Sequence, residues 1–113
     1  MSANPLSAIT KSHIAIALRS VSSRGRNSWI YTDKRVGLIE FVPRDEEAWS
    51  APSIFVEIED EERDMKYRFE MELKDRHLEE NILKEGEIRL TKNAIELISD
   101  IWFKKIEAVL KEE

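Results

Sequence analysis

Residues 53 to 72 admit one antiparallel register, and it constrains everything around it. Set Asp60 opposite Met65 around a four-residue turn, Glu61 to Asp64, and one face stacks Ile54 on Met71, Val56 on Phe69 and Ile58 on Tyr67. On the other face Glu57 meets Arg68 and Glu59 meets Lys66, so opposite charges lie across from one another. A one-residue slip would turn the whole apolar set to the wrong side. An apolar pattern and a charge pattern thus select the same pairing, and the resulting sheet has one apolar face that needs a cover.

The two ends of the chain supply that cover. Leu6, Ile9, His13, Ile14, Ala17, Leu18 and Val21 recur at steps of three and four, which predicts a helix from about residue 5 to 23. Asn4 caps its start, Pro5 fits the first helical position, and Gly25 lies where a terminating residue is wanted. A second helix begins at Thr91, or at Asn93 with Glu96 completing a capping box. Its stripe is Ile95, Ile98, Ile101, Trp102, Ile106, Val109 and Leu110, while Leu97 and Phe103 widen the apolar face or mark a dimer contact. About twenty residues give it a length of roughly 30 Å, enough to span a small sheet.

Between these helices, Ser28 to Thr32 and Val36 to Val42 read as strands flanking the tight connection Asp33-Lys34. Pro43 to Pro52 read as a loop, because proline removes a backbone donor. Asp75 caps a short helix running to Lys84, Gly86 ends it, and Glu87 to Leu90 form a brief strand. The expected fold is therefore α+β: a four-stranded antiparallel sheet with a short fifth strand, covered on one face by the N-terminal and the long C-terminal amphipathic helices. Residues 1–113 form one domain, with 1–4 and 111–113 frayed.

Absence of cysteine excludes disulfides, thiol nucleophiles and cysteine-based metal sites. Lys11, His13 and Arg19 interrupt any leader-like apolar run, and no stretch is long enough for a bilayer, so a cytoplasmic location without a membrane partner is expected. The high charged fraction and the lack of glutamine fit a heat-adapted source.

Charge is divided along the chain. Through Arg44, seven Lys or Arg face two acids; from Asp45 onward, eleven face 21, and the halves sum to −5. In the basic half, Arg24 and Arg26 run into Trp29 and Tyr31, followed by Lys34 and Arg35. Cations neutralise phosphates while aromatic rings stack on bases, so these six residues are the candidates for binding single-stranded nucleic acid. The bland alternative is that the ring-bearing face of this strand is buried beneath the helices. Six acids in eight residues, Glu57 to Asp64, mark the other hairpin tip. Glu59, Asp60, Glu61 and Glu62, with Phe103, are the candidates for docking a protein partner, or else a solvated tip that discourages edge aggregation. Because the tip repels phosphates, a nucleic-acid ligand is expected to keep to the opposite end.

Other chemistry is thinly represented. Glu70, Glu72 and Lys74 alternate on one strand, and Glu72-Leu73-Lys74 has the Glu-x-Lys form of one class of metal-dependent nucleases. Glu72 falls opposite Ser53, however, and Pro43-Arg44-Asp45 is a poor source for the second acid that Mg²⁺ requires. His13 reads as a core or boundary residue, and His77 lacks the further ligands of a zinc site. No Gly-x-Ser-x-Gly or glycine-rich phosphate loop occurs. No cofactor, metal or catalytic residue is expected.

The stretch Gly86-Glu87-Ile88-Arg89-Leu90-Thr91-Lys92-Asn93-Ala94-Ile95-Glu96-Leu97-Ile98 resembles the strand-to-helix junction of the single-stranded-DNA-binding superfamily that includes the Pur, Whirly and transcriptional-coactivator families. That resemblance implies an antiparallel sheet followed by a helix, with unpaired bases bound on the exposed sheet face. The chain departs from it in its added N-terminal helix, its short helix before the last strand and its acidic second hairpin. The leading expectation is a non-catalytic domain that binds single-stranded nucleic acid, with a homodimer through the C-terminal helix as an option. The alternative is a protein-binding adaptor, chaperone or immunity-type protein that uses its acidic tip, favoured by the acidic pI of about 5.2. A metal-dependent nuclease ranks third.

Overall fold

The computed structural model describes residues 4–24, 26–43, 51–79 and 88–112. Its elements in order are a 3-10 turn Pro5–Ala8, α1 Lys11–Arg24, β1 Asn27–Tyr31, β2 Arg35–Val42, β3 Ser53–Asp60, β4 Met65–Glu72, a 3-10 turn Asp75–His77 and α2 Lys92–Lys111. The four strands form one antiparallel sheet in chain order, β1-β2-β3-β4. In the β3–β4 pair Ile54 faces Met71, Val56 faces Phe69, Ile58 faces Tyr67, Glu57 faces Arg68 and Glu59 faces Lys66, the register that the two alternating patterns require.

Both helices lie on the apolar face. α1 packs on β1 and β2, while α2 packs on α1 and, more lightly, on β4. Ile30, Ile39, Ile54, Val56 and Ile58 from the sheet close against Ile14, Leu18 and Val21 of α1 and Ile98, Trp102 and Ile106 of α2. Phe103 is half-buried against this core, whereas Leu97 is exposed. Lys11 of α1 reaches Asp100 of α2 at 3.6 Å and ties the helices together at the surface, while Lys104, one turn along α2, reaches the same carboxylate at 3.1 Å. Lys104 first, then Lys11, holds the Asp100 carboxyl below its ordinary value.

Helix boundaries follow local hydrogen bonding more than periodicity. The helix expected from residue 5 divides: Asn4 accepts from the Leu6 N–H at 2.9 Å and starts only a 3-10 turn. Asn4, at the margin of the expected frayed end, is itself buried. α1 begins after Thr10, whose hydroxyl accepts from the His13 N–H at 3.2 Å while His13 Nδ1 accepts from the Thr10 N–H at 2.9 Å. This reciprocal cap makes His13 a half-buried boundary residue. Thr91 caps α2 by accepting from the Ala94 N–H at 3.0 Å, so Asn93 lies inside the helix.

Two expectations beyond β4 are corrected. The helix from Asp75 stops after His77, because Leu78 turns to bridge Leu90 and the neighbouring Glu79 N–H bonds to the Arg89 carbonyl at 2.9 Å. The fifth strand reduces to that isolated bridge; residues 80–87, including the rest of the expected helix and Gly86, lie outside the described residues.

His77 is buried, and its Nδ1 accepts from the Lys74 N–H at 2.9 Å. Burial, then the charges of Arg76 and Lys74, push its pKa below 6.5. The unfolded chain therefore takes up a proton near pH 6.5 that the folded chain resists, so stability falls as pH drops below that value. Urea titrations at stepped pH should show this decline in the native protein and a flatter profile in His77→Asn, whose amide oxygen can replace Nδ1.

Gly37 marks where the sheet is tightest. A Cβ there would stand 3.0 Å from the Glu57 carbonyl oxygen and 3.1 Å from Ile58 Cγ1. Gly37→Ala is predicted to lower stability by about 1–3 kcal/mol and Gly37→Val by more, read as a shift of the urea midpoint.

Candidate functional site

β1 and β2 are joined by a turn in which the Thr32 N–H donates to the Lys34 carbonyl at 2.9 Å and the Thr32 hydroxyl to Asp33 at 3.1 Å. Pairing runs regularly from Asn27 with Glu40 to Ile30 with Gly37, then Tyr31 pairs with Arg35. Val36 is thus an extra residue in β2, a bulge, and it is buried together with Gly37. Beside the bulge the Arg35 guanidinium lies 4.1 Å over the Trp29 ring.

Trp29 is 40% exposed and Tyr31 58%, on either side of the fully buried Ile30. The rings therefore look outward, and burial of this strand face beneath the helices is excluded. Lys34 and Arg35 are exposed beside them. Arg24 and Arg26 are placed elsewhere in the fold: Arg24 ends α1 and the exposed Arg26 precedes β1, whereas Lys34 and Arg35 follow β1. One strand length, about 15 Å, separates the two basic pairs. Arg26 also belongs to the sheet margin, its carbonyl accepting from the Phe41 N–H at 2.7 Å.

Strand direction brings the basic and acidic turns together. β1 and β3 run the same way, so the β1–β2 and β3–β4 turns emerge at one end of the sheet. The expected separation of a nucleic-acid ligand from the acidic tip is therefore corrected for Trp29, Tyr31, Lys34 and Arg35. A groove of about 730 Å³ runs between the turns, with Trp29, Leu38, Pro5 and Ala8 in its walls, Lys34 and Arg35 on one side and Glu57, Glu59, Glu61 and Glu62 on the other.

Most cations on the open face already have acidic partners. Arg68 reaches Glu57 at 3.1 Å and Glu70 at 3.9 Å, Lys66 reaches Glu59 at 3.4 Å, and Arg63 reaches Asp60 at 3.6 Å. Among β2 to β4 and the two turns, Asp33, Glu40, Glu57, Glu59, Asp60, Glu61, Glu62, Asp64, Glu70 and Glu72 face Lys34, Arg35, Arg63, Lys66 and Arg68: ten acids against five bases, a formal −5. Asp60 differs from its neighbours. It is only 4% exposed and accepts from the Arg63 N–H at 3.3 Å, so it builds the turn and is not presented to a partner. Glu59, Glu61 and Glu62 are exposed. Asp64 closes the turn with a φ of 52°.

Phe55 escaped the sequence reading. It is on the charged face yet only 6% exposed, because the Arg68 guanidinium lies 3.7 Å over its ring. The signal was available, since Phe55 lies directly across from Glu70, beside Arg68, in the same register. Glu72 faces Ser53, as expected, and the Ser53 hydroxyl donates to Glu70 at 3.1 Å. Asp45 lies outside the described residues, among which no group of three His, Asp or Glu is placed to hold a metal ion. No described helix is long and apolar enough to cross a membrane.

Comparison of the chain with protein-family models, curated proteins and solved structures finds no match.

Arg68→Ala should uncover Phe55 and remove two carboxylate contacts at once. It is predicted to cost about 1–2 kcal/mol in urea unfolding, while Lys66→Ala, which removes only an exposed ion pair, should cost under about 1 kcal/mol.

Proposed function

We propose that this domain is a non-catalytic protein-binding module, of the adaptor, chaperone or immunity type, that takes a basic, extended segment of its partner between the two turns. The observation that carries this reading is the acidic excess on the open face and its turns, where the groove opens: with the buried Asp60 set aside, nine acids against five bases, a formal −4. A polyanion approaching there meets net repulsion, whereas lysines and arginines meet Glu61 and Glu62, which form no ion pair among the described residues. Trp29 and Leu38 give the stems of such side chains an apolar wall.

A second reading is favoured by one observation, the exposure of Trp29 and Tyr31. Together with Lys34 and Arg35, and with the resemblance of residues 86–98 to single-stranded-DNA-binding proteins, it supports stacking on unpaired bases. Fluorescence polarisation separates the two. A labelled Lys/Arg-rich peptide should bind, weaken as salt rises, and lose about tenfold or more in affinity in Glu61→Lys/Glu62→Lys, a loss of about 1.4 kcal/mol. Binding of an oligonucleotide but not the peptide, strengthened by the same substitutions, would overturn the proposal in favour of the second reading.

A further inference from the structure

β4 is an edge strand of eight residues with no proline, glycine or bulge to blunt it. The direction of its backbone groups follows from one hydrogen bond. The Leu73 N–H donates to the Pro52 carbonyl at 2.7 Å, so in the antiparallel alternation the odd residues of β4 bond to β3. The N–H and C=O groups of Lys66, Arg68, Glu70 and Glu72 therefore point away from the sheet, and no strand among the described residues pairs with them.

The side chains of these four residues are exposed and read base, base, acid, acid. That order is self-complementary when the strand is reversed. We infer that β4 pairs with β4 of a second copy of this chain, antiparallel about a two-fold axis at Phe69. Arg68 then faces the partner's Glu70, Lys66 faces the partner's Glu72, and symmetry repeats both pairs. Each is a hydrogen-bonded pair, so about eight backbone hydrogen bonds close across the seam. Other registers fail. A shift by two residues sets Arg68 against Arg68 or Glu70 against Glu70, and a shift by one sets charged against apolar side chains while misaligning the outward backbone groups.

The apolar face agrees. Ile54, Val56 and Ile58 are fully covered, but Met71, Phe69 and Tyr67 beside them on β4 are only half-buried, since α2 touches β4 lightly. In the proposed pair Phe69 meets its own copy on the axis, and Tyr67 meets the partner's Met71, extending the core into one eight-stranded sheet. This seam replaces α2 as the expected dimer contact. It needs no ligand and stands apart from the peptide-binding reading.

Sedimentation at roughly 100 μM, a hundredfold above a micromolar Kd, should give a dimer. Lys66→Glu/Arg68→Glu and Glu70→Lys/Glu72→Lys should each associate at least tenfold more weakly alone, and should form a one-to-one pair when mixed. The chain has no cysteine, so Phe69→Cys offers a clean reading of register: a non-hydrogen-bonded pair sits at about 4.5 Å between Cα atoms, within disulfide range. Oxidation should cross-link it, and should leave a Glu62→Cys control monomeric. A native monomer at this concentration, edge variants that dimerise unmixed, or equal cross-linking of both cysteine variants would overturn the inference.

Discussion

The pleat of β3 and β4 is the constraint from which the rest of the molecule follows. Because side chains alternate strictly, the register that stacks Ile58 on Tyr67 also sets Glu57 against Arg68. The helix-covered face and the charged face are thus two consequences of one pairing. The apolar side carries most of the stabilisation, through Ile54, Val56 and Ile58 closing on Trp102 and Leu18. The charged side contributes modestly to stability, except where Arg68 shelters Phe55.

The same alternation organises the functional surface. Two hairpins in succession place both turns at one end, so charges that are separated along the chain become neighbours in space. Lys34 and Arg35 share a groove with Glu57, Glu59, Glu61 and Glu62. What looks in the sequence like a basic half and an acidic half becomes one face with a negative balance. Summed charge on a surface, not charge along the chain, decides which partner is attracted.

The four strands of the sheet and the β3–β4 register were legible because each rests on local periodicity, reinforced in the second hairpin by cross-strand charge. Outward-facing Trp29 and Tyr31 could not be read from alternation alone: two residues on one strand face share a side, but the pattern does not say which side the helices cover. The bulge at Val36 was hidden because one extra apolar residue in an apolar strand leaves no mark. The break of the first helix depends on Thr10 and His13 capping each other, a local bond that competes with a pattern continuing across it. The short reach of the turn at Asp75 depends on Leu78 meeting Leu90, a contact twelve residues away. The meeting of the two turns, by contrast, was implicit in consecutive hairpins and needed only strand direction.

Nuclear Overhauser contacts between Hα protons across β3 and β4 test the central claim most directly, since non-hydrogen-bonded antiparallel pairs bring those protons closest. The account predicts such contacts between Phe55 and Glu70, Glu57 and Arg68, and Glu59 and Lys66. Contacts displaced by one residue, such as Glu57 with Tyr67 or Phe69, would invert the two faces and contradict it.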